Sequence, residues 1–128
     1  MFYILIKDDY IIYRKGLSAL IKENFPSSTI IEVEATSSLL AKTSELPAGL
    51  IIIDIREVDE KDIDVLKQIR KQLPHTGIIV MTFSSSSLFA TEMVEAGATV
   101  CLNKNCSVPD FTAALKKIVS QNTGINLC

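Results

Sequence analysis

Four short apolar runs in this chain each lead into a side chain able to handle phosphate or a metal ion. Leu50-Ile51-Ile52-Ile53 stops at Asp54, and Ile4-Leu5-Ile6 leads to Asp8 and Asp9. Ile78-Ile79-Val80-Met81 stops at Thr82, and Val100-Cys101-Leu102 leads to Lys104. Runs this short and continuous suit strands covered on both faces, which are the strands of parallel sheets. Open α/β sheets hold their ligands outside the carboxyl ends of such strands. The pattern therefore predicts one site, at one edge, holding Asp8, Asp9, Asp54, Thr82 and Lys104.

The segments between the runs read as helices. After a first strand over residues 2–7, the apolar Ile12, Leu17, Leu20, Ile21 and Phe25 recur through a helix from about Ile11 to Phe25, which Pro26-Ser27-Ser28 breaks. Thr29 to Ala35 alternates Ile30, Ile31 and Val33 with Glu32 and Glu34, as a strand does. Thr36-Ser37-Ser38 is placed to cap a helix through Leu46, and Pro47 and Gly49 end it before the strand from Leu50 to Asp54. Beyond a charged loop, Ile63, Leu66, Ile69 and Leu73 form the inner stripe of a helix from about Lys61, with Lys67, Arg70 and Lys71 outside. Gly77 to Thr82 is the fourth strand. Ser84 to Ser87 offer an N-cap to a helix that Gly97 terminates, and Thr99 to Leu102 is the fifth strand. A last helix from about Val108 to Ser120 has Pro109 in its first turn and turns Phe111, Leu115, Ile118 and Val119 inward. The order is (βα)5, which implies an α/β doubly wound three-layer sandwich.

Size and charge narrow the function. The 128 residues suit one domain, read as 1–121 with a tail or linker start over 122–128. A net charge of -2 argues against non-specific binding to DNA or an anionic membrane. No apolar run approaches the roughly 20 residues of a membrane helix, and the N-terminus lacks a basic segment and cleavage site, so the expected compartment is the cytoplasm. Cys101, Cys106 and Cys128 show neither metal-ligand spacing nor an even count, and read as free thiols, Cys128 being the most open to oxidation. His75, after Pro74, and the pair Lys116-Lys117 read as surface residues.

Three carboxylates at one edge need a compensating charge, and Mg²⁺ suits one or two carboxylates, water and a phosphoryl oxygen. With a cation in place, Asp54 is a nucleophile able to accept a phosphoryl group. Lys104 and the metal would neutralise phosphoryl oxygens while the Thr82 hydroxyl hydrogen-bonds another.

With Asp8-Asp9, Asp54, Thr82 and Lys104 in register over residues 2–121, the sequence resembles the receiver domain of two-component response regulators, a CheY-like, flavodoxin-like fold. Arg14 to Leu20 is similar to helix one of the NarL/FixJ type, and Glu95-Ala96-Gly97-Ala98 also matches. The resemblance implies a parallel sheet of order 2-1-3-4-5 and phosphoryl transfer to Asp54 from the phosphohistidine of a sensor histidine kinase. It implies Mg²⁺ held by Asp8, Asp9, Asp54 and the Arg56 backbone carbonyl, and a phosphoryl group bound by Thr82 and Lys104. It further implies transcriptional regulation through a DNA-binding output domain that is not in this chain, and homodimer formation through helix five, where Phe111, Ala113 and Ala114 stand. The domain would be no enzyme beyond its own phosphorylation and dephosphorylation.

Several positions depart from that pattern. Phe83 stands where the family has a small residue and would crowd phosphodonor entry. Cys101 replaces the aromatic residue that turns with the threonine. Arg56 is placed to reach the carboxylates, and Glu57-Val58-Asp59-Glu60 replaces the usual Met-Pro and later Gly. An alternative therefore stands beside the first reading: a degenerate receiver-like interaction domain that works without phosphorylation. An aspartyl-nucleophile phosphatase would want an acid where Arg56 is, and no glycine-rich phosphate loop follows strand one.

Overall fold

A computed structural model describes residues 2–57 and 59–121; the expectations for residues 122–128, Cys128 included, fall outside these residues. Among the described residues five strands and five helices alternate: β1 (Tyr3–Lys7), α1 (Ile11–Asn24), β2 (Thr29–Val33), α2 (Thr36–Glu45), β3 (Ala48–Asp54), α3 (Glu60–Gln72), β4 (Gly77–Thr82), α4 (Ser87–Ala96), β5 (Val100–Asn103) and α5 (Val108–Gln121). All strand pairs are parallel, in the order β2-β1-β3-β4-β5. This is the expected doubly wound sandwich.

The two-residue period of a strand divides each apolar run between two cores. Leu5, Ile51, Ile53, Ile78 and Val80 pack with Leu39, Leu66, Ile69, Phe89 and Met93 of α2, α3 and α4. Ile4, Ile6, Leu50, Ile52, Ile79 and Met81 pack with Leu17, Ile21, Phe111, Leu115 and Ile118 of α1 and α5. Burying both faces of the central strands is what makes the runs continuous rather than alternating. Truncating one of these fully buried isoleucines to alanine costs about 2–5 kcal/mol.

The helix ends differ in detail from the expectation. Ser86 caps α4, its Oγ accepting from the Phe89 N–H at 3.2 Å, and Gly97 at φ +132° ends it. Asp59 caps α3 by accepting from the Lys61 N–H. The hydroxyls of Thr36-Ser37-Ser38 do not cap α2: the helix begins at Thr36 itself, so Ala35 is the cap residue and makes no side-chain bond. β3 starts earlier than predicted, at Ala48, with Gly49 inside the strand because a Cβ there would collide with the Phe2 ring. β2 ends at Val33, and β5 is shifted one residue, to Asn103.

Three side chains, Ile12, Arg14 and Arg70, face other ways than their spacing suggested. Ile12 is 86% exposed, because five positions separate it from Leu17 and that places it well round the helix. The side facing the sheet is instead Arg14, Leu17 and Ile21. Arg70 is not a solvated residue: its guanidinium donates to the carbonyls of Gly97, Thr76 and Leu73, tying α3 to the turns before β4 and β5. On α3 the predicted Leu66 and Ile69 are buried, half-buried Ile63 and Leu73 pack against the same core, and Val65 joins them. Phe111 is core, so it offers nothing to a dimer face, while Ala113 is exposed. Lys116, Lys117 and His75 are on the surface as expected. Among the described residues no helix is long and apolar enough to cross a membrane.

Candidate functional site

Strand register brings the polar strand ends together. Ile53 pairs with Lys7, Asp54 with Met81, and Thr82 with Asn103, so residues at the carboxyl ends of β1, β3, β4 and β5 share one edge. All five predicted site residues lie there, and four of them, Asp8, Asp54, Thr82 and Lys104, are buried.

At the centre stands the Lys104 ammonium. Its Nζ lies 2.8 Å from Asp8 Oδ2 and 2.9 Å from Asp54 Oδ1, with the three side chains only 1–3% exposed. The Tyr13 ring stands 4.5 Å from the same nitrogen, and the Tyr10 and Phe83 rings 5.3 Å. Ring faces carry negative charge density, so this cage holds a cation that water barely reaches. The Lys104 backbone N–H donates to the Thr82 carbonyl at 2.7 Å, which fixes the stem.

Each acid is held by its surroundings. The Asp8 carbonyl accepts from Arg14 Nη1 at 2.7 Å, and Asp8 Oδ1 accepts from the Tyr10 N–H at 2.8 Å. Arg14 is buried against Glu32, where burial alone would raise the carboxyl; hydrogen bonds from Lys15 and Arg14 overcome that and hold it below the usual range. Asp9 is half exposed and lies 3.2 Å from Lys7 Nζ and 3.5 Å from Arg56 Nη2. The Arg56 guanidinium also sits 4.8 Å over the Tyr10 ring. Arg56 thus reaches a carboxylate, as its position suggested. The Thr82 Oγ accepts from the Ser84 N–H at 3.1 Å and keeps its own proton to donate.

Beside this cluster opens a polar cavity of about 320 Å³ lined by Asp9, Asp54, Arg56, Lys7 and the acids Glu57, Asp59 and Asp62. The Asp62 carboxyl is pushed up, first by burial and then by Asp59. On the other side of Lys104, an apolar cavity of about 360 Å³ lies between α1 and α5, with Tyr13 and Cys106 in its wall. Burial there, followed by the charges of Cys106, Asp8 and Asp54, raises the Tyr13 phenol to about 12. Burial also raises the Cys101 and Cys106 thiols, which makes both poor nucleophiles.

As placed, no three acid, imidazole or thiol groups among the described residues converge as a ready metal site. Asp8 is taken up by Lys104. The donor chemistry nevertheless fits Mg²⁺, which needs only one or two carboxylates and retains water: Asp9, Asp54 and Arg56 line the same polar cavity. Sequence reasoning missed Lys7, Tyr10 and Tyr13 as parts of this site. A lysine ending an otherwise apolar strand was the available signal for Lys7.

The sequence profile of the response regulator receiver domain matches residues 4–116. The chain belongs to that family. As such it is a receiver of two-component systems. The receiver is 31% identical to the transcriptional regulatory protein YdfI of Bacillus subtilis over 81% of its own length and 48% of that protein. It is 24% identical to the Fimbriae Z protein of Salmonella typhimurium, over 91% of the chain and 56% of that protein. It therefore spans about half the length of the curated relatives it matches. Among solved structures, the NarL receiver domain of Mycobacterium tuberculosis superposes with a TM-score of 0.78 at 16% identity, over 93% of this chain and 96% of that one. A beryllofluoride-activated NtrC4 receiver domain dimer gives 0.84 at 24%, over 96% and 100%. These superpositions establish the CheY-like fold.

Proposed function

We propose that this receiver accepts a phosphoryl group on Asp54. An Asp54 carboxylate oxygen attacks the phosphorus of a kinase phosphohistidine, the P–N bond breaks, and the imidazole leaves with the electron pair. The observation that carries this reading is the buried ammonium of Lys104 in contact with both Asp8 and Asp54. It sits where charge builds on the incoming phosphoryl group, and it can exchange its bond to Asp54 for one to a phosphoryl oxygen. Thr82 donates its hydroxyl proton to a second oxygen. Mg²⁺, held by Asp9, Asp54 and the Arg56 backbone carbonyl beside Asp8, would neutralise the remaining phosphoryl charge.

Further parts of the proposal rest on the relatives. The NarL and LuxR-family neighbours support the NarL/FixJ type, and the regulators named above support control of transcription through a separate DNA-binding segment. The NtrC4 receiver dimer supports pairing with a second copy. The domain proper is residues 1–121, working in the cytoplasm where sensor kinases present their phosphohistidine.

The test is incubation of the 128-residue chain with Mg²⁺ and phosphoramidate, read by intact mass against Asp54→Asn. A single phosphoryl adduct on the parent and none on the variant is expected. No adduct under any donor would refute it. That outcome would favour the second reading, an interaction domain that works unphosphorylated, which the closed ion-pair cluster and the Phe83 ring over Lys104 support.

A further inference from the structure

We infer that Lys7 and Arg56 are built-in counter-ions of Asp9, and that a divalent cation enters the pocket by displacing them. The inference rests on the reading of that pocket as the Mg²⁺ site.

Each strand-end carboxylate already has a cation beside it. Three carboxylates, Asp8, Asp9 and Asp54, are matched by three cations, Lys104, Lys7 and Arg56. The two halves differ in strength. Lys104 is out of water and shared by two acids, so it is not displaced cheaply. Asp9 is 49% exposed and Arg56 55%, and a pair this wet is worth little and is weakened by salt. A cation arriving at Asp9 and Asp54 therefore competes with Arg56 first and with the more sheltered Lys7 second.

The rim supplies the exchange partners. The cavity that holds Asp9 and Asp54 is also lined by Glu57, Asp59 and Asp62, so Lys7 and Arg56 have other acids to meet when they leave Asp9. Lys7 already lies close enough to Asp62 to oppose the rise of its carboxyl. Displacing Arg56 strands no charge in a dry place, and it frees the Tyr10 ring from the guanidinium now lying over it. Cation occupancy and the position of Tyr10, one wall of the Lys104 cage, are thereby coupled.

Mg²⁺ titration by calorimetry, with no phosphodonor present, tests this on the full chain. Arg56→Ala keeps the backbone carbonyl and removes the competitor. It should tighten Mg²⁺ binding about two- to five-fold, as the loss of one exposed ion pair allows, and the difference should shrink as salt is raised. Lys7→Met should tighten it further. Lys67→Ala, an equal change of net charge on the exposed face of α3, should leave binding within error. In NMR spectra of the unsubstituted chain, Mg²⁺ should move the Tyr10 ring signals toward their positions in Arg56→Ala. Equal or weaker binding by Arg56→Ala, or equal tightening by Lys67→Ala, overturns the inference and leaves the Mg²⁺ site standing. Absence of binding by every variant removes the Mg²⁺ site itself and the inference with it.

Discussion

Replacing Lys104 by methionine keeps an unbranched apolar stem and deletes one charge. What it leaves is two carboxylates that had shared a single nitrogen at 2.8 and 2.9 Å, so their oxygens lie within about 6 Å of each other. At an effective dielectric near 20, that repulsion is ~3 kcal/mol. Breaking a buried pair by removing one partner costs about 3–5 kcal/mol in measured cases, consistent with the Coulomb figure. For a domain of this size each kcal/mol moves the melting temperature by roughly 3–5 °C, so Lys104→Met should melt about 10–20 °C lower.

The assay is thermal unfolding followed by far-UV circular dichroism, with no Mg²⁺ and then with Mg²⁺ added. Two further measurements separate stranded charge from mere loss of packing. Asp8→Asn in the Lys104→Met background should recover a large part of the loss, because it removes one of the two opposed charges. Mg²⁺ should raise the melting temperature of Lys104→Met more than that of the parent. A drop under about 3 °C, or no recovery on adding Asp8→Asn, would show that the cluster does not depend on the ammonium and would sink the account of the site.

Tyr13 should ionise late. In a spectrophotometric phenol titration one tyrosine should titrate near 12, and Tyr13→Phe should delete that step. Because the folded state holds this proton longer than the unfolded chain, stability should fall as pH rises from the ordinary phenol range toward 12. The raised Asp62 carboxyl has the same sign: folding favours its neutral form, so its ionisation costs stability that is absent in acid and appears as pH rises through the carboxylate range. Asp62→Asn should therefore be more stable than the parent at neutral pH and equal to it in acid, by urea unfolding. Gly97→Ala should lose about 1–3 kcal/mol in the same assay, since φ is +132° and the new Cβ would lie 2.9 Å from Arg70 Cβ, disturbing the Arg70 bonds. Phe83→Ala should speed adduct formation from phosphoramidate several-fold; an unchanged rate would mean the ring does not guard Asp54.

The sheet order and the five strand ends were readable because a strand buried on both faces has few alternatives in composition, and its polar terminus stands out. Helix faces were less readable. Ile12 carries the right chemistry for a core stripe and the wrong angle, while Arg14 and Arg70 look like solvent residues and are tied down by Glu32 and the Gly97 carbonyl, far off in sequence. The site was legible as a set of residues and, apart from the reach of Arg56 to the carboxylates, not as a charge pattern. Asp8, Asp9 and Asp54 read as three acids awaiting one cation, whereas each is already paired, by Lys104, Lys7 or Arg56. Lys7 pairs with Asp9 although only one residue separates them, and local spacing does not say which way a strand-end lysine bends.

An ammonium has three N–H bonds to give, and the Lys104 contacts account for them: one to Asp8, one to Asp54 and one toward the Tyr13 ring. On the proposed reading, phosphorylation exchanges the Lys104–Asp54 contact for one to an oxygen of the phosphoryl group carried on that same carboxylate. The ammonium need not leave its cage, so Lys104 transmits little movement. Thr82 is different. Its Oγ now accepts from the Ser84 N–H, and the Asn103 amide holds the carbonyls of Ser84 and Phe83 from the neighbouring strand. Drawing the Thr82 hydroxyl toward a phosphoryl group pulls on this loop, and through Ser84, whose Oγ accepts from the Ser86 N–H, on the residue that caps α4. With half-buried Cys101 in β5 in place of a large ring, the response should concentrate in residues 83–87 and the first turn of α4.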